Sequence, residues 1–268
     1  MEPYNKFSEK YNQKYLDMLK AFESADGLDE LCNYVFWYPQ FGIKPKEKCD
    51  ILIYGQAVNG AHCYFRNKKD LAIGDVHRAL NHSNRFAPQH NYSPIDWVNV
   101  QWTNKLYQEH MKDAFKKELY YSNQKNGKCP YEAYRSFFWQ TAHKVVSDYN
   151  GFDRNSFEWS KNMVWSNLYK IAPERGANPA EHSQKIQRPF SLDLVKMEID
   201  ELNPKYVIVH TNYKWWQPFG LHLGSNRAAK NEIIHSIEYY NNSKIIVVKR
   251  PFTEDSNEYT QEIISEMN

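Results

Sequence analysis

Apolar positions along the chain change rhythm several times, and each change marks an element. From residue 5 to 24, Phe7, Tyr11, Tyr15, Met18, Leu19 and Phe22 recur at intervals of three and four. That spacing gathers them on one stripe and predicts a helix. Leu28 to Trp37 reads as a second helix and Tyr38-Pro39-Gln40-Phe41-Gly42 as a turn, so residues 1–47 are expected to form an N-terminal helical cap. Ile51-Leu52-Ile53-Tyr54 is a continuous apolar run closed by Gly55, with Gly60 five residues on. Such a run predicts a strand buried on both faces. Met163-Val164-Trp165, Tyr206 to Val209 and Ile245 to Val248 repeat the pattern. Between them, residues 130–148 predict a helix that starts at Pro130 and is stopped by Asn150-Gly151. Residues 174–190 read as a polar loop, and Ser191 as the cap of a helix carrying Leu194, Val195, Ile199 and Leu202 inward. Further helices are expected over about 212–222, 226–235 and 255–267, with a short strand over 236–240.

Strands alternating with helices predict parallel pairing and right-handed crossovers. The expected fold is a single α/β domain over 1–268, three-layer α/β/α, with a central, mainly parallel four-stranded sheet. Ligands of such sheets bind beyond the carboxyl ends of the strands. Four loops should therefore converge: Gly55–Phe65, Ser166–Pro173, His210–Trp216 and Lys249–Phe252. They offer the amides of Gln56, Asn59 and Asn167, the aromatic faces of Tyr64 and Phe65, and the cation Arg250. Amides suit the edge of a planar heterocycle and aromatic rings suit its face; a base swung out of its stack needs both. Plainer roles stand beside these: Asn167 as a turn cap, Phe65 as core, Arg250 paired with Glu254. Carboxylates and Ser–His pairings are nearly missing from the loops, which argues against a hydrolase triad, a glycosidase or a metal centre.

Composition narrows the picture modestly. Hydrophobic residues are 41% and charged residues 25%, which permits a packed core, and a net charge of +2 does not by itself call for a polyanionic partner. The 20 Tyr and 8 Trp serve cores first and stacking second. Arg66, Lys68, Lys69, Arg78, His82, Arg85 and His90 interleave with Phe65, Trp97 and Trp102, as a solvated loop or as a surface for a nucleic-acid backbone. Cys32, Cys49, Cys63 and Cys129 form no CxxC and complete no zinc pattern, so reduced thiols and no metal are expected. With no signal-peptide pattern and no apolar run near the ~20 residues that span a bilayer, the expectation is a cytoplasmic protein without a membrane segment.

These motifs resemble the uracil-DNA glycosylase superfamily, over about residues 48–260 and as scattered short matches. Gly55-Gln56-Ala57-Val58-Asn59 is similar to the motif that ends strand one there, and Phe65, or Tyr64, falls where an aromatic stacks on the base. Trp165-Ser166-Asn167-Leu168-Tyr169-Lys170-Ile171-Ala172-Pro173 is similar to the segment whose Asn reads the base edge. Asn203-Pro204-Lys205-Tyr206-Val207-Ile208-Val209 matches the following strand, and Arg250-Pro251-Phe252 stands where the family has His-Pro-Ser. The resemblance implies a DNA partner, single- or double-stranded, and recognition of a flipped uracil-type or damaged base. It implies Gly55, Ala57, Tyr64, Phe65, Asn167 and Pro251 in substrate binding, and Gln56, Asn59 and Arg250 in catalysis. No cofactor is implied: Ile171 stands where the iron–sulfur branch has a cluster cysteine. Ala57 replaces the carboxylate that many members use to position water, and Arg250 replaces the His. For a general base the chain offers only Asp75 and Asn59. Three readings therefore stand: hydrolysis of the N-glycosidic bond, non-catalytic binding of a nucleic acid or nucleotide on the same fold, or a nucleotide-binding α/β domain of unrelated lineage.

Overall fold

The computed structural model describes residues 7–26, 28, 34–42, 48–57, 63–64, 71–83, 95, 98, 133, 136–173, 178–249 and 255–268. Among these, helices run over Glu9–Glu23 (α1), Ile73–Ser83 (α2), Phe137–Asn150 (α3), Glu181–Leu202 (α4), Tyr213–Leu223 (α5) and Ser256–Met267 (α6). Strands run over Tyr34–Phe36 (β1), Gln40–Phe41 (β2), Ile51–Ala57 (β3), Cys63–Tyr64 (β4), Val164–Tyr169 (β5), Ile171–Pro173 (β6), Tyr206–His210 (β7), Asn226–Ala229 (β8), Ile234–Tyr240 (β9) and Ser243–Val248 (β10).

Seven strands form the main sheet in the order β2-β5-β3-β7-β10-β9-β8. Its centre, β5-β3-β7-β10, is parallel throughout, while β2, β9 and β8 pair antiparallel at the two sides. The four expected strands are thus the parallel middle of a wider sheet. A separate three-stranded sheet, β4-β1-β6, lies beside it. Along β3 and β7 successive side chains alternate between two cores, as the pleat requires. Leu52, Tyr54, Val207 and Val209 meet α1, α2, α4 and α5 on one face. Ile51, Ile53, Tyr206 and Ile208 meet α3 and α6 on the other. Each of these aliphatic side chains contributes on the order of 2 kcal/mol by leaving water. The result is a three-layer α/β/α arrangement. No helix of the described residues is long and apolar enough to cross a membrane.

Several local expectations are corrected. Residues 34–36 of the supposed second helix form β1, because their backbone is claimed on both sides, by β4 and β6. Residues 181–190 of the supposed polar loop are the first half of α4, and Ser191 is a buried residue inside it rather than its cap. The inward stripe there is polar, Ser183, Gln187 and Ser191, so apolar periodicity gave no sign of a helix. Gln187 hydrogen-bonds instead: it accepts from the amides of Lys170 and Ile171, both at 3.1 Å, and donates to the Ile171 carbonyl at 2.9 Å. That docking holds the segment helical despite Pro189 within it. The helix expected over 226–235 is replaced by β8 and the start of β9, where cross-strand pairing outweighs local propensity. Ser166 and Asn167 lie inside β5, not in a loop after it. The helix from Pro130 is α3, capped by Ser136 and closed by Gly151 at φ +68°, with Pro130 itself outside the described residues.

Candidate functional site

The parallel strands end together, and their last residues define a short row. Gly55 on β3 pairs with Asn167 on β5, while Tyr54 pairs with Val209, which brings His210 of β7 beside Gly55. Asn167, Gly55 and His210 all present to the α3 face. At ~4.8 Å per strand the row spans roughly 10 Å between its outer backbones, close to the width of one planar heterocycle with its hydrogen-bonding neighbours. Gly55 contributes the absence of a side chain: a Cβ there would stand 2.4 Å from Asn167 Oδ1 and 3.7 Å from Phe138 Cε2. The carboxamide therefore lies over the glycine, and the Phe138 ring closes the side. Phe137 and Phe138, from the first turn of α3, each hold a ring centroid 5.6 Å from that of His210.

Asn167 is 1% exposed, and its Nδ2 meets no hydrogen-bond partner among the described residues. A buried donor left unpaired costs about 1–3 kcal/mol. Side chains of this kind are rare enough that each calls for a reason. Here the reason is not a misplaced backbone, because the backbone of Asn167 is held tightly.

What holds it is a buried network on the opposite face of β5. Lys170 and Glu198 form an ion pair at 2.7 Å, with both side chains wholly shielded from solvent. Lys170 Nζ spends its other two protons on Ser166 Oγ at 2.7 Å and on the Asn167 carbonyl at 2.5 Å. Glu198, from α4, also accepts from Tyr11 Oη at 2.6 Å, Tyr54 Oη at 2.8 Å and Ser166 Oγ at 2.7 Å. All three ammonium protons are used and both carboxylate oxygens are doubly bonded, the condition under which a buried ion pair is tolerable. Burial pulls the Lys170 ammonium below its ordinary value, with Glu198 opposing that shift. Burial first, and the Glu198 charge second, push Tyr11 and Tyr54 well above the ordinary phenol value, so both remain donors. The network ties α1, β3, β5 and α4 to the one peptide that carries Asn167.

The other expected site residues distribute as follows. Gly55 and Asn167 come together. Gln56 is turned toward the opposite face, where its Oε1 accepts from Asn178 Nδ2 at 3.3 Å. Ala57 ends β3 and, like Trp165, packs against the small cluster of Val35, Trp37 and Ala172. Tyr64 belongs to β4, in register with Val35; its side chain, with Asn59, Phe65, Arg250 and Pro251, lies outside the described residues. Of the basic stretch over 66–128, residues 71–83, 95 and 98 are described. Asp75, offered as a general base, starts α2 instead, accepting from the Ala72 amide at 2.9 Å and pairing with Arg78.

Sequence reasoning missed His210, Phe138, Lys170 and Glu198 as members of the site. Two of them left a signal. Lys170 falls between the apolar pairs Leu168-Tyr169 and Ile171-Ala172, and Glu198 sits on the inward stripe between Leu194, Val195 and Ile199; a charge in either place needs a buried partner. No protein-family model matches the chain, and no curated protein matches it.

Proposed function

We propose that this chain is a uracil-DNA glycosylase-like protein whose crevice receives a uracil-type or otherwise altered base swung out of a DNA strand. The observation that carries the reading is the unspent Nδ2 of buried Asn167 at the end of a parallel strand. A carboxamide offers one donor and one acceptor side by side. A uracil edge presents the complement, a carbonyl oxygen beside a ring N–H. The base would lie against Phe138 and meet the carboxamide that the missing Gly55 side chain lets lie flat on the sheet, and His210 stands in the same row. Loss of a base as an anion places negative charge on its ring oxygen; a fixed donor there is worth roughly 3–4 kcal/mol of barrier. His210 and Arg250 are the two candidates for that donor. In its neutral form His210 can donate from one ring nitrogen, whereas Arg250 would act by charge.

A second reading is favoured by one observation. At Ala57, where a water-positioning carboxylate would stand, an apolar side chain packs among apolar neighbours. On that reading the crevice binds a base or nucleotide without cleaving it.

One experiment separates the two. Single-stranded and duplex oligonucleotides carrying uracil, hypoxanthine or xanthine are incubated with the protein and then treated with alkali. Scission that disappears in Asn167→Ala supports the glycosylase. Preferential binding of one such base without scission, again lost in Asn167→Ala, supports the binding module. Neither scission nor preference removes the base-recognition reading altogether.

A further inference from the structure

A second cluster of polar and aromatic groups lies at the same end of the sheet, on the α5 face. Residue 235 is the extra residue of a β-bulge: Ile234 pairs with Val248 and Ser236 with Val247, leaving His235 unpaired in the ladder. Bulges re-aim side chains, and this one turns the His235 ring onto Tyr213, centroids 4.1 Å apart, in the first turn of α5. From the neighbouring strand β8, Arg227 lays its guanidinium over the same Tyr213 ring at 3.9 Å. It donates to Tyr213 Oη at 2.6 Å, and a second N–H reaches His235 Nε2 at 3.1 Å. Arginine can only donate, so His235 accepts in its neutral form. Burial, then the nearby charges of Arg227 and Lys249, hold its pKa below the ordinary value, consistent with that role.

Arg227 thus has its position fixed by neutral partners alone. It forms no ion pair among the described residues. The carboxylate facing it across the strands, Glu238, is committed to Trp216 Nε1 at 2.9 Å, Ser225 Oγ at 2.5 Å and Ser236 Oγ at 3.0 Å. Two of the five guanidinium N–H groups are used, and the side chain stands in an exposed position. A charged fork held rigid, with donors to spare and no counter-charge, matches the geometry of a phosphate. Lys249 adds positive charge next to His235, although its ammonium is paired with Glu232 at 3.3 Å.

We propose that Arg227, held by Tyr213 and His235, grips a phosphate of the nucleic-acid strand whose base enters the crevice. Four strand spacings, ~19 Å, separate the β3 backbone from β8, which carries Arg227; this places the contact beyond the flipped nucleotide's own phosphate. The inference rests on the base-recognition reading only for the identity of the polymer. Such a contact positions the strand and carries no base preference of its own.

The test titrates a fluorescein-labelled single-stranded oligonucleotide with one central uracil, and its thymine counterpart, by anisotropy from 50 to 200 mM KCl. Wild type, Arg227→Ala, Arg227→Lys and Asn167→Ala are compared, with circular dichroism confirming that each is folded. Arg227→Ala is expected to weaken binding of both oligonucleotides about tenfold. It should also lower the slope of log K against log salt by about 0.7, the share of one phosphate on a single strand. Arg227→Lys should restore the slope but not the affinity, because an ammonium cannot lie along the Tyr213 ring. Asn167→Ala should erase the uracil preference and leave the slope alone. A wild-type slope in Arg227→Ala overturns the proposal, as does failure of wild type to bind either oligonucleotide. A wild type that binds both equally, with the slope still lowered in Arg227→Ala, sinks the base reading and leaves the phosphate grip standing.

Discussion

Replacing Gly55 with alanine should be a large perturbation for one methyl group, and only while Asn167 is present. The new Cβ would stand 2.4 Å from Asn167 Oδ1, whereas an ordinary contact begins near 3.4 Å, so the carboxamide must retreat by the difference, 1.0 Å. Phe138, at 3.7 Å from the same point, limits the retreat on one side. The Asn167 backbone cannot yield either, being held by the β3 ladder and by Lys170. Crowding of this kind costs about 1–3 kcal/mol. Without the carboxamide the sign reverses. Gly55 does not occupy the left-handed region, so alanine fits its backbone and should stabilise by about 0.5 kcal/mol through the unfolded chain. A double-mutant cycle over Gly55→Ala and Asn167→Ala should therefore show a coupling of about 2 kcal/mol. Urea unfolding followed by tryptophan fluorescence measures it, and the buried Trp139, Trp159 and Trp216 supply the signal. Additivity within about 0.5 kcal/mol would show that the two side chains do not share the space. A displacement of about 1 Å in a positioning group can also cost 100-fold in activity, so on the proposed reading Gly55→Ala abolishes base recognition in a protein that still folds.

Three further outcomes follow from the same geometry. Asn167→Leu removes a buried unpaired donor at nearly constant volume and should raise the unfolding free energy by about 1 kcal/mol while losing base preference; a destabilised variant would mean that Nδ2 is paired after all. Lys170→Met leaves the Glu198 carboxylate buried beside neutral donors only, for a loss of about 3–5 kcal/mol, and adding Glu198→Gln should recover a good part of it; simple additivity of the two would refute the pairing. His143 donates from Nε2 to the Arg154 carbonyl at 2.8 Å, and burial lowers its pKa from 6.5 to about 4. The unfolded chain therefore takes up a proton near pH 6.5 that the folded chain refuses until about pH 4. Its contribution is fully present above pH 6.5 and is lost as the pH falls through that window, about 2 kcal/mol between pH 7 and 5. Urea unfolding at the two pH values, set against His143→Gln, reads the difference; equal acid sensitivity in both proteins would rule the histidine out.

Strands β3, β7 and β10 were legible as continuous apolar runs between turn signals, whereas of β5 only Met163 to Trp165 showed before Ser166 and Asn167 broke the run. Local pattern was silent wherever the fold relies on polar contacts. The first half of α4 packs through Gln187 and Ser183, not through aliphatic side chains, and so resembled a loop. Strands β1, β4, β6 and β8 are two to four residues long and exist because neighbouring backbones pair with them. Of the site, Asn167 was found by its place at a strand end and by the resemblance it carries. His210 stood at an equivalent place but brought no motif with it. The Lys170–Glu198 pair was invisible as a pair, since an ion pair between a strand and a distant helix leaves two separate anomalies rather than one pattern.

The two faces of β5 treat neighbouring residues in opposite ways, and the contrast is the strongest physical argument for a site. Ser166 points into a network where the ammonium of Lys170 has all its protons bound and the carboxylate of Glu198 has four donors. Asn167, one residue on, points to the other face with a donor unspent. Thr141 Oγ1 and Ser147 Oγ are also buried without a partner among the described residues; Asn167 differs in its place, at the end of the parallel strands, over Gly55 and beside Phe138. On the proposed reading, this amide, lying over Gly55 and beside an aromatic ring, is the donor held for a ligand. The saturated face also explains how the reserve is kept: with its carbonyl fixed by Lys170, the Asn167 peptide cannot rotate to find a partner within the protein. Rigidity on one side of the strand and an unspent donor on the other are then parts of one arrangement: the ion pair's desolvation cost is offset by its own hydrogen bonds, and the fixed Asn167 carbonyl is their consequence.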